Sequence, residues 1–131
     1  MTDKSLTDKA IDLRGKKYVL VSDRVLYFNE AYPQGSITTE LLPIADKRFI
    51  VKATVKPGHS SRTFTAYSQA VEGQGMVNKT AALENAETSA VGRALAFMGI
   101  GVLDSIASVD EIKKADPTDK PPFGPGSVDE D

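Results

Sequence analysis

The sequence feature that most constrains the fold is an alternation of apolar and polar side chains at Arg48–Lys56, RFIVKATVK. Successive side chains of a strand point to opposite faces, so one face would carry Phe49, Val51, Ala53 and Val55. The other face would carry Arg48, Ile50, Lys52, Thr54 and Lys56. This pattern predicts a β-strand with one buried face and one solvated face.

Two further strands are predicted around this one. Pro57-Gly58 favours a turn, and residues 62–71 are again β-rich, which together predict an antiparallel hairpin. Residues 36–42 also alternate and predict a strand. We expect that strand to end at residues 43–46, because Pro43 interrupts the pattern.

From residue 80 to residue 98 the apolar period becomes helical, after a Gly-containing loop at residues 72–79. Thr80 can cap this long helix and Gly99 can end it. Gly92 lies in its middle, where glycine costs about 1 kcal/mol relative to alanine, which indicates that the backbone lies close to another element.

Shorter helices are predicted on either side of these elements. At residues 23–32, Asp23 has the character of an N-cap and Pro33 ends the run. Residues 108–115 open with the capping-box sequence Ser-Val-Asp-Glu. The order of elements predicts an α+β fold, with a long helix on an antiparallel sheet.

The sequence divides into three segments, of which the last is set apart by its charge. Residues 116–131 hold four of the seven prolines and a net charge of −4, from five acidic residues and one lysine. So few apolar residues cannot offset the entropy of ordering, and we expect a disordered acidic tail. We expect residues 1–15 to be an N-terminal extension and residues 16–115 to form the binding domain.

Composition excludes several classes of function. The chain has no cysteine, which excludes disulfides and thiolate zinc sites, and one histidine, which excludes a multi-histidine metal site. No set of carboxylates has the spacing of a metal-dependent nuclease. We therefore expect no catalytic residues, no metal and no cofactor, and hence a protein that is not an enzyme.

The expected cellular compartment follows from the lack of a membrane-spanning segment and of a signal peptide. No apolar run approaches the ~20 residues that span a bilayer, and the N-terminus has no signal-peptide h-region. The lack of cysteine fits a reducing compartment. We expect a cytoplasmic protein without a membrane partner.

Basic residues concentrate around the predicted hairpin. Residues 47–79 contain six basic residues and one acidic residue, although the whole chain has a net charge of −2. Arg48, Lys52 and Lys56 would form a row on one strand face, with roughly 13 Å between neighbouring residues. Such a row can follow the phosphates of a single strand. The same row is also typical of an ordinary solvated strand, in which Lys blocks edge pairing.

Further candidates surround this row. Tyr67 on the partner strand can stack a base or pack beside the core. Arg62 and Lys79 extend the basic surface, and Arg93 is either a phosphate ligand on the long helix or a plain surface residue. The candidate DNA-binding set is Arg48, Lys52, Lys56, Arg62, Tyr67, Lys79 and Arg93.

The run ALENAETSAVGRALAFMGIG at residues 82–101 resembles the signature helix of phage single-strand annealing proteins of the Erf and Sak groups. These are distant relatives of the eukaryotic Rad-fifty-two annealing protein. The similarity rests on Arg-Ala-Leu at residues 93–95, followed by Gly99-Ile100-Gly101, after a basic hairpin. Residues 18–32 are also similar to the N-terminal part of Erf-like domains, and the resemblance covers roughly residues 16–112.

The resemblance implies a β-β-β-α core, binding of single-stranded DNA in a positively charged groove, strand annealing without ATP, and assembly into rings. It implies a role in phage-type DNA recombination and repair, in the cytoplasm of a bacterial host. The acidic tail resembles the terminus of bacterial single-stranded DNA-binding proteins, which indicates recruitment of a replication or recombination protein.

Two alternatives remain. One is a single-stranded DNA-binding protein that protects DNA and recruits partners through its tail. The other is an oligomeric interaction protein without a nucleic-acid role.

Overall fold

The computed structural model describes residues 3–59, 62–71, 75–103 and 106. Helices and strands follow one another in this part of the chain, and we number each type in chain order. They are α1 (Asp3–Asp8), β1 (Ile11–Leu13), β2 (Lys16–Tyr18), α2 (Val21–Ala31), β3 (Ser36–Ala45), β4 (Arg48–Lys56), β5 (Phe64–Val71) and α3 (Gly75–Phe97).

Strands β3, β4 and β5 form an antiparallel sheet with β4 in the centre, and β1 pairs with β2 in a separate hairpin. On β4, Val51, Ala53 and Val55 are buried, whereas the residues between them keep solvent exposure. Helix α3 packs across β4 and β5. The two-faced strand, its hairpin with β5 and the α+β class with a β-β-β-α core are therefore confirmed.

Strand β3 is longer than the alternation predicts. It continues through Pro43 to Ala45, with a register shift between these two residues. The expectation that the strand ends at residues 43–46 is therefore wrong. Pro43 is tolerated because β3 is an edge strand of the described sheet, so its missing N–H need not interrupt a ladder on both sides.

Helix α2 begins before Asp23, the predicted N-cap, which lies in its first turn. The N-cap position is Leu20, whose side chain makes no capping hydrogen bond. The buried Arg24 joins this end to helix α3 instead, because its Nε donates to the carbonyl oxygen of Val19 at 2.9 Å and its Nη1 donates to that of Gly92. The prediction of Asp23 as the cap is wrong because packing overrides a local signal.

Helix α3 begins at Gly75, within the segment 72–79 that was expected to be a loop. Its backbone leaves helical geometry at Ala81, where φ is −136° and ψ is 25°. The predicted start at Thr80 therefore lies beside a kink and not at the first residue of the helix.

The predicted end of α3 is confirmed. Gly99 has a φ of 99°, in the left-handed region that glycine adopts without strain. The N–H of Ile100 donates to the oxygen of Leu95 at 3.0 Å, and the N–H of Gly99 donates to the oxygen of Ala96 at 2.8 Å. This pair of bonds is a Schellman motif, which satisfies carbonyls that the helix end leaves without partners.

The core lies between the sheet and the helices. Helix α3 contributes small side chains, and α2 contributes the larger Phe28. The buried residues that α3 places in this core include Ala82, Ala86, Ala90, Ala94 and Leu95. An alanine-lined helix face allows the helix backbone to approach the sheet closely.

Helices α2 and α3 approach each other at Gly92. A Cβ atom added there would lie 2.6 Å from Cγ2 of Val21. The Gly92 oxygen accepts a hydrogen bond from Nη1 of Arg24 at 3.1 Å. Burial lowers the pKa of Arg24 below that of an ordinary arginine, and Tyr18 acts in the opposite direction. The predicted close approach at Gly92 is confirmed.

The N-terminal residues pack against the same core. Leu6 of α1 is 1% exposed, and the β1–β2 hairpin joins α1 to α2. The expected boundary between residues 15 and 16 falls inside this hairpin, at its turn. In the ranges given above, no helix combines the length and the apolar character needed to cross a membrane. The predicted helix at 108–115 and the acidic tail at 116–131 lie outside the described residues.

Candidate nucleic-acid interface

One face of the β3–β4–β5 sheet is left accessible by the described helices. Helices α2 and α3 contribute to the core on the face that carries Val51, Ala53 and Val55. We call the opposite face the open face. Each of its residues keeps some solvent exposure: Ser36, Thr38, Glu40, Leu42, Arg48, Ile50, Lys52, Thr54, Lys56, Thr65, Tyr67, Gln69 and Val71.

Lys52 lies near the centre of the open face. It pairs with Tyr67 on β5 and with Glu40 on β3, so these three side chains form a row across the sheet. Directly opposed side chains in such a ladder have Cβ atoms roughly 5 Å apart. Tyr67 is 53% exposed, so its ring is accessible to a ligand and is not part of the core. Glu40 places a negative charge beside Lys52.

Arg48 and Lys56 lie on the same face, at the two ends of β4. Each is four residues from Lys52, which corresponds to roughly 13 Å along a strand. Four of the seven predicted residues therefore share one surface: Arg48, Lys52, Lys56 and Tyr67.

Two of the other predicted residues, Arg62 and Arg93, are not brought to this surface. Arg62 stacks on Phe64, with its guanidinium carbon 4.9 Å from the ring centroid, and Phe64 is in phase with the buried Ala66 on the helix-facing side. Arg93 lies on α3, which packs on the opposite side of the sheet from Lys52. Its guanidinium carbon is 5.7 Å from the Phe97 ring centroid. The side chain of Lys79 lies outside the described part of the chain.

The sheet layer, with its open face, and the helical layer, formed by α2 and α3, differ in charge. The open face carries three basic side chains and the carboxylate of Glu40. The described side chains of α2 and α3 include two basic residues, of which Arg24 is buried and Arg93 is half-buried. The acidic residues of these helices are Asp23, Glu30, Glu84 and Glu87. An anionic polymer is therefore attracted to the sheet layer more than to the helical layer.

A cleft of about 520 Å³ lies between α2, β3 and α3. Its walls include Val25, Ile37 and Val91, and Glu87 accepts a hydrogen bond there from Oγ1 of Thr39 at 2.7 Å. Among the described side chains, no three of the residue types that hold metals come together. The chemistry that the described surface supports best is electrostatic binding, at the open face.

A family model described as Slr1353 N-terminal dsRNA-binding domain-like matches residues 26–98. This segment is more than half of the 131-residue chain. The chain belongs to this family. The matched segment runs from within α2 through β3, β4 and β5 to the end of α3. Comparisons with curated proteins and with solved structures gave no match.

Membership of the dsRNA-binding domain-like family supports nucleic-acid binding as the general function. The open face lies wholly within the matched segment. The family description names neither single-stranded DNA nor an annealing activity.

A second group of basic residues lies before the segment that matches the dsRNA-binding domain-like family. Residues 14–17, Arg-Gly-Lys-Lys, form the turn and the start of β2 in the N-terminal hairpin. Arg14, Lys16 and Lys17 are all exposed. The alternation that identified β4 could not reveal them, because each hairpin strand has only three residues. The usable sequence signal is the cluster of cations around a turn-forming glycine.

Proposed function

We propose that this protein binds single-stranded DNA across the open face and anneals complementary strands without ATP, in recombination and repair of the phage type. The observation that carries the proposal is the row of Arg48, Lys52 and Lys56 beside the exposed Tyr67. Annealing is supported by the resemblance of residues 82–101 to the Erf and Sak groups. Family membership supports the broader function of nucleic-acid binding.

The proposed mechanism is non-covalent. The cations of β4 neutralise phosphates along one strand, and the ring of Tyr67 stacks on a base. A face with cations in a single line contacts the backbone of the bound strand from one side. Bases that do not stack on Tyr67 remain accessible and pair with a complementary strand.

The second candidate is binding of duplex RNA, which the family description favours. Domains of that class recognise the shape of an A-form helix and its phosphates, largely without sequence specificity. The exposed aromatic ring on the open face favours the single-stranded ligand, because the bases of a duplex are stacked on one another.

The proposal includes two kinds of protein partner. Strands β3 and β5 are the edges of the described sheet, and edge strands are commonly covered or paired, which favours a homo-oligomer of the ring type. Residues 116–131, with a net charge of −4, are proposed to recruit a replication or recombination protein. Light scattering with and without DNA tests for the homo-oligomer. Affinity capture by the full-length protein and by a protein without residues 116–131 tests for the recruited partner.

The central test is a fluorescence-polarisation titration at two salt concentrations, with single-stranded DNA, single-stranded RNA and both duplexes. Reversing two charges, in Lys52→Glu/Lys56→Glu, should weaken single-strand binding and reduce the salt slope by about one to two. A matched control, Lys52→Arg/Lys56→Arg, keeps both charges and should keep the slope. Glu40→Gln removes the opposing charge beside Lys52 and should tighten binding.

A second measurement follows the pairing of complementary labelled strands by energy transfer, without nucleotide. The wild-type protein should accelerate pairing, and the charge-reversed variant should not. Single-strand binding without acceleration would indicate a protective DNA-binding protein. Preference for duplex RNA would indicate the second candidate, and no binding to any probe would indicate an interaction protein.

A further inference from the structure

We propose that the β1–β2 hairpin is a second phosphate-binding element, which contacts duplex nucleic acid through Arg14, Lys16 and Lys17. The inference rests on the proposed nucleic-acid binding but concerns a different surface, outside the segment that the family model matches. It adds a duplex contact to a protein whose open face suits a single strand.

The first argument is the shape of the hairpin. Residues Arg14 and Gly15 form its two-residue turn with φ values of 52° and 84°, as a type I′ turn requires. Leu13 pairs with Lys16, and Asp12 pairs with Lys17. Adjacent residues of a strand point to opposite faces, so Lys16 and Lys17 project to the two sides while Arg14 lies at the tip.

The second argument is that the base of this hairpin is fixed. Tyr18 is 3% exposed and Val19 is fully buried, whereas the residues toward the tip are exposed or half-buried. The guanidinium carbon of Arg24 lies 5.0 Å from the centroid of the Tyr18 ring, and its Nε donates to the oxygen of Val19. A fixed base means that little backbone entropy is lost when the cations at the tip contact a ligand.

The third argument concerns which ligand fits cations that face in two directions. A groove of a duplex has a phosphate backbone on each side, and the major groove of B-DNA admits a two-stranded β-ribbon. Cations on both faces of a ribbon can contact both backbones at once, whereas a single strand passes on one side only. Residues 9–18 contain four basic residues and one acidic residue, so the local charge favours this contact.

The position of the hairpin separates it from the open face. Tyr18 and Val19 lead directly into α2, and Val19 lies against Gly101, just beyond the end of α3. Helices α2 and α3 contribute to the core on the other side of the sheet from Lys52. A protein with both surfaces can hold a single strand on the sheet and contact a duplex at the hairpin, which is the product of annealing.

The test compares two variants that remove three charges each. The hairpin variant is Arg14→Asn/Lys16→Gln/Lys17→Gln, because Asn tolerates the positive φ at position 14 and Asn-Gly is a preferred type I′ pair. The sheet variant is Arg48→Gln/Lys52→Gln/Lys56→Gln. Circular dichroism and thermal unfolding of both establish that they fold. Each is then titrated with duplex DNA, duplex RNA and single-stranded DNA over a range of salt concentrations.

We expect the hairpin variant to bind at least one duplex roughly tenfold or more weakly, with a salt slope reduced by about two to three, and to keep its affinity for single-stranded DNA. The two duplex probes distinguish B-form from A-form ligands. Unchanged duplex affinity in the folded hairpin variant would overturn the inference, as would a wild-type protein that binds no duplex at low salt. An equal loss of affinity for all three probes in the hairpin variant would also overturn the inference.

These outcomes are independent of the proposal for the open face. If the sheet variant keeps its single-strand affinity while the hairpin variant loses duplex affinity, the open face is refuted and the hairpin stands. If the sheet variant loses single-strand affinity while the hairpin variant keeps its duplex affinity, the hairpin is refuted and the open face stands.

Discussion

The buried Arg24 leads to a quantitative prediction about stability. Its side chain is 2% exposed and donates two hydrogen bonds, from Nε to the oxygen of Val19 at 2.9 Å and from Nη1 to the oxygen of Gly92 at 3.1 Å. These bonds connect the end of the N-terminal hairpin, helix α2 and helix α3. The perturbation is Arg24→Met, which keeps an unbranched apolar stem and removes every donor.

The magnitude follows from these two bonds. A hydrogen bond to a charged group contributes about 1.5–3 kcal/mol, and two buried carbonyl oxygens would lose their charged donor. The loss is offset in part, because the folded state no longer keeps a cation away from water. We expect the free energy of unfolding to fall by about 2–4 kcal/mol, a large fraction of the stability of a small domain. Arg24→Lys, which keeps one donor group, should fall between the wild type and Arg24→Met.

Urea denaturation followed by circular dichroism measures this change. The matched control is Arg62→Met, because Arg62 also stacks on an aromatic ring but is exposed, and its loss should cost about 1 kcal/mol or less. If Arg24→Met is no more destabilising than Arg62→Met, the hydrogen bonds of Arg24 do not stabilise the fold and the reasoning is refuted.

Two further predictions concern the open face and the helix crossing. Tyr67→Ala should weaken single-strand binding by about 1–3 kcal/mol and Tyr67→Phe should not, because stacking needs the ring and not the hydroxyl group; equal losses in a polarisation titration would exclude stacking. Gly92→Ala should lower the melting temperature despite the higher helix propensity of alanine, because its Cβ would lie 2.6 Å from Val21. Adding Val21→Ala should recover part of that loss, and a double mutant with simply additive effects would contradict the steric explanation.

The parts of the fold that could be predicted from sequence are those in which burial and backbone preference agree. The alternation of β4 identified its buried face correctly, and Gly99 identified the end of α3. The errors lie where tertiary structure changes a local preference. Pro43 does not end β3 because it is on an edge strand, and Asp23 does not cap α2 because Arg24 fixes the helix start from within the core.

Which side chains of α3 face the core is harder to predict from the sequence. Leu83 is 45% exposed, whereas its smaller neighbour Ala82 is buried. Residues 82, 86, 90 and 94 are spaced by four, which keeps them on one side of a helix. The smaller side chains face the sheet because they allow close approach, and hydrophobicity alone does not predict this choice.

The candidate site was predictable to the extent that it depends on one strand and its neighbour. Arg48, Lys52 and Lys56 share a face through strand geometry alone, and the ladder adds Tyr67. Arg62 and Arg93 could not be placed, because their directions depend on stacking against Phe64 and Phe97.

The composition of the open face gives the last argument about what it binds. A sheet face without a packed helix is stable in water only if its side chains are largely polar. The open face meets this condition with charged residues, threonines and Gln69, and its aliphatic residues are Val71 and the cross-strand pair Leu42 and Ile50. A protein partner of the obligate kind would require a more apolar surface. The line of cations beside the exposed ring of Tyr67 therefore favours a nucleic acid over an obligate protein partner as the ligand of this face.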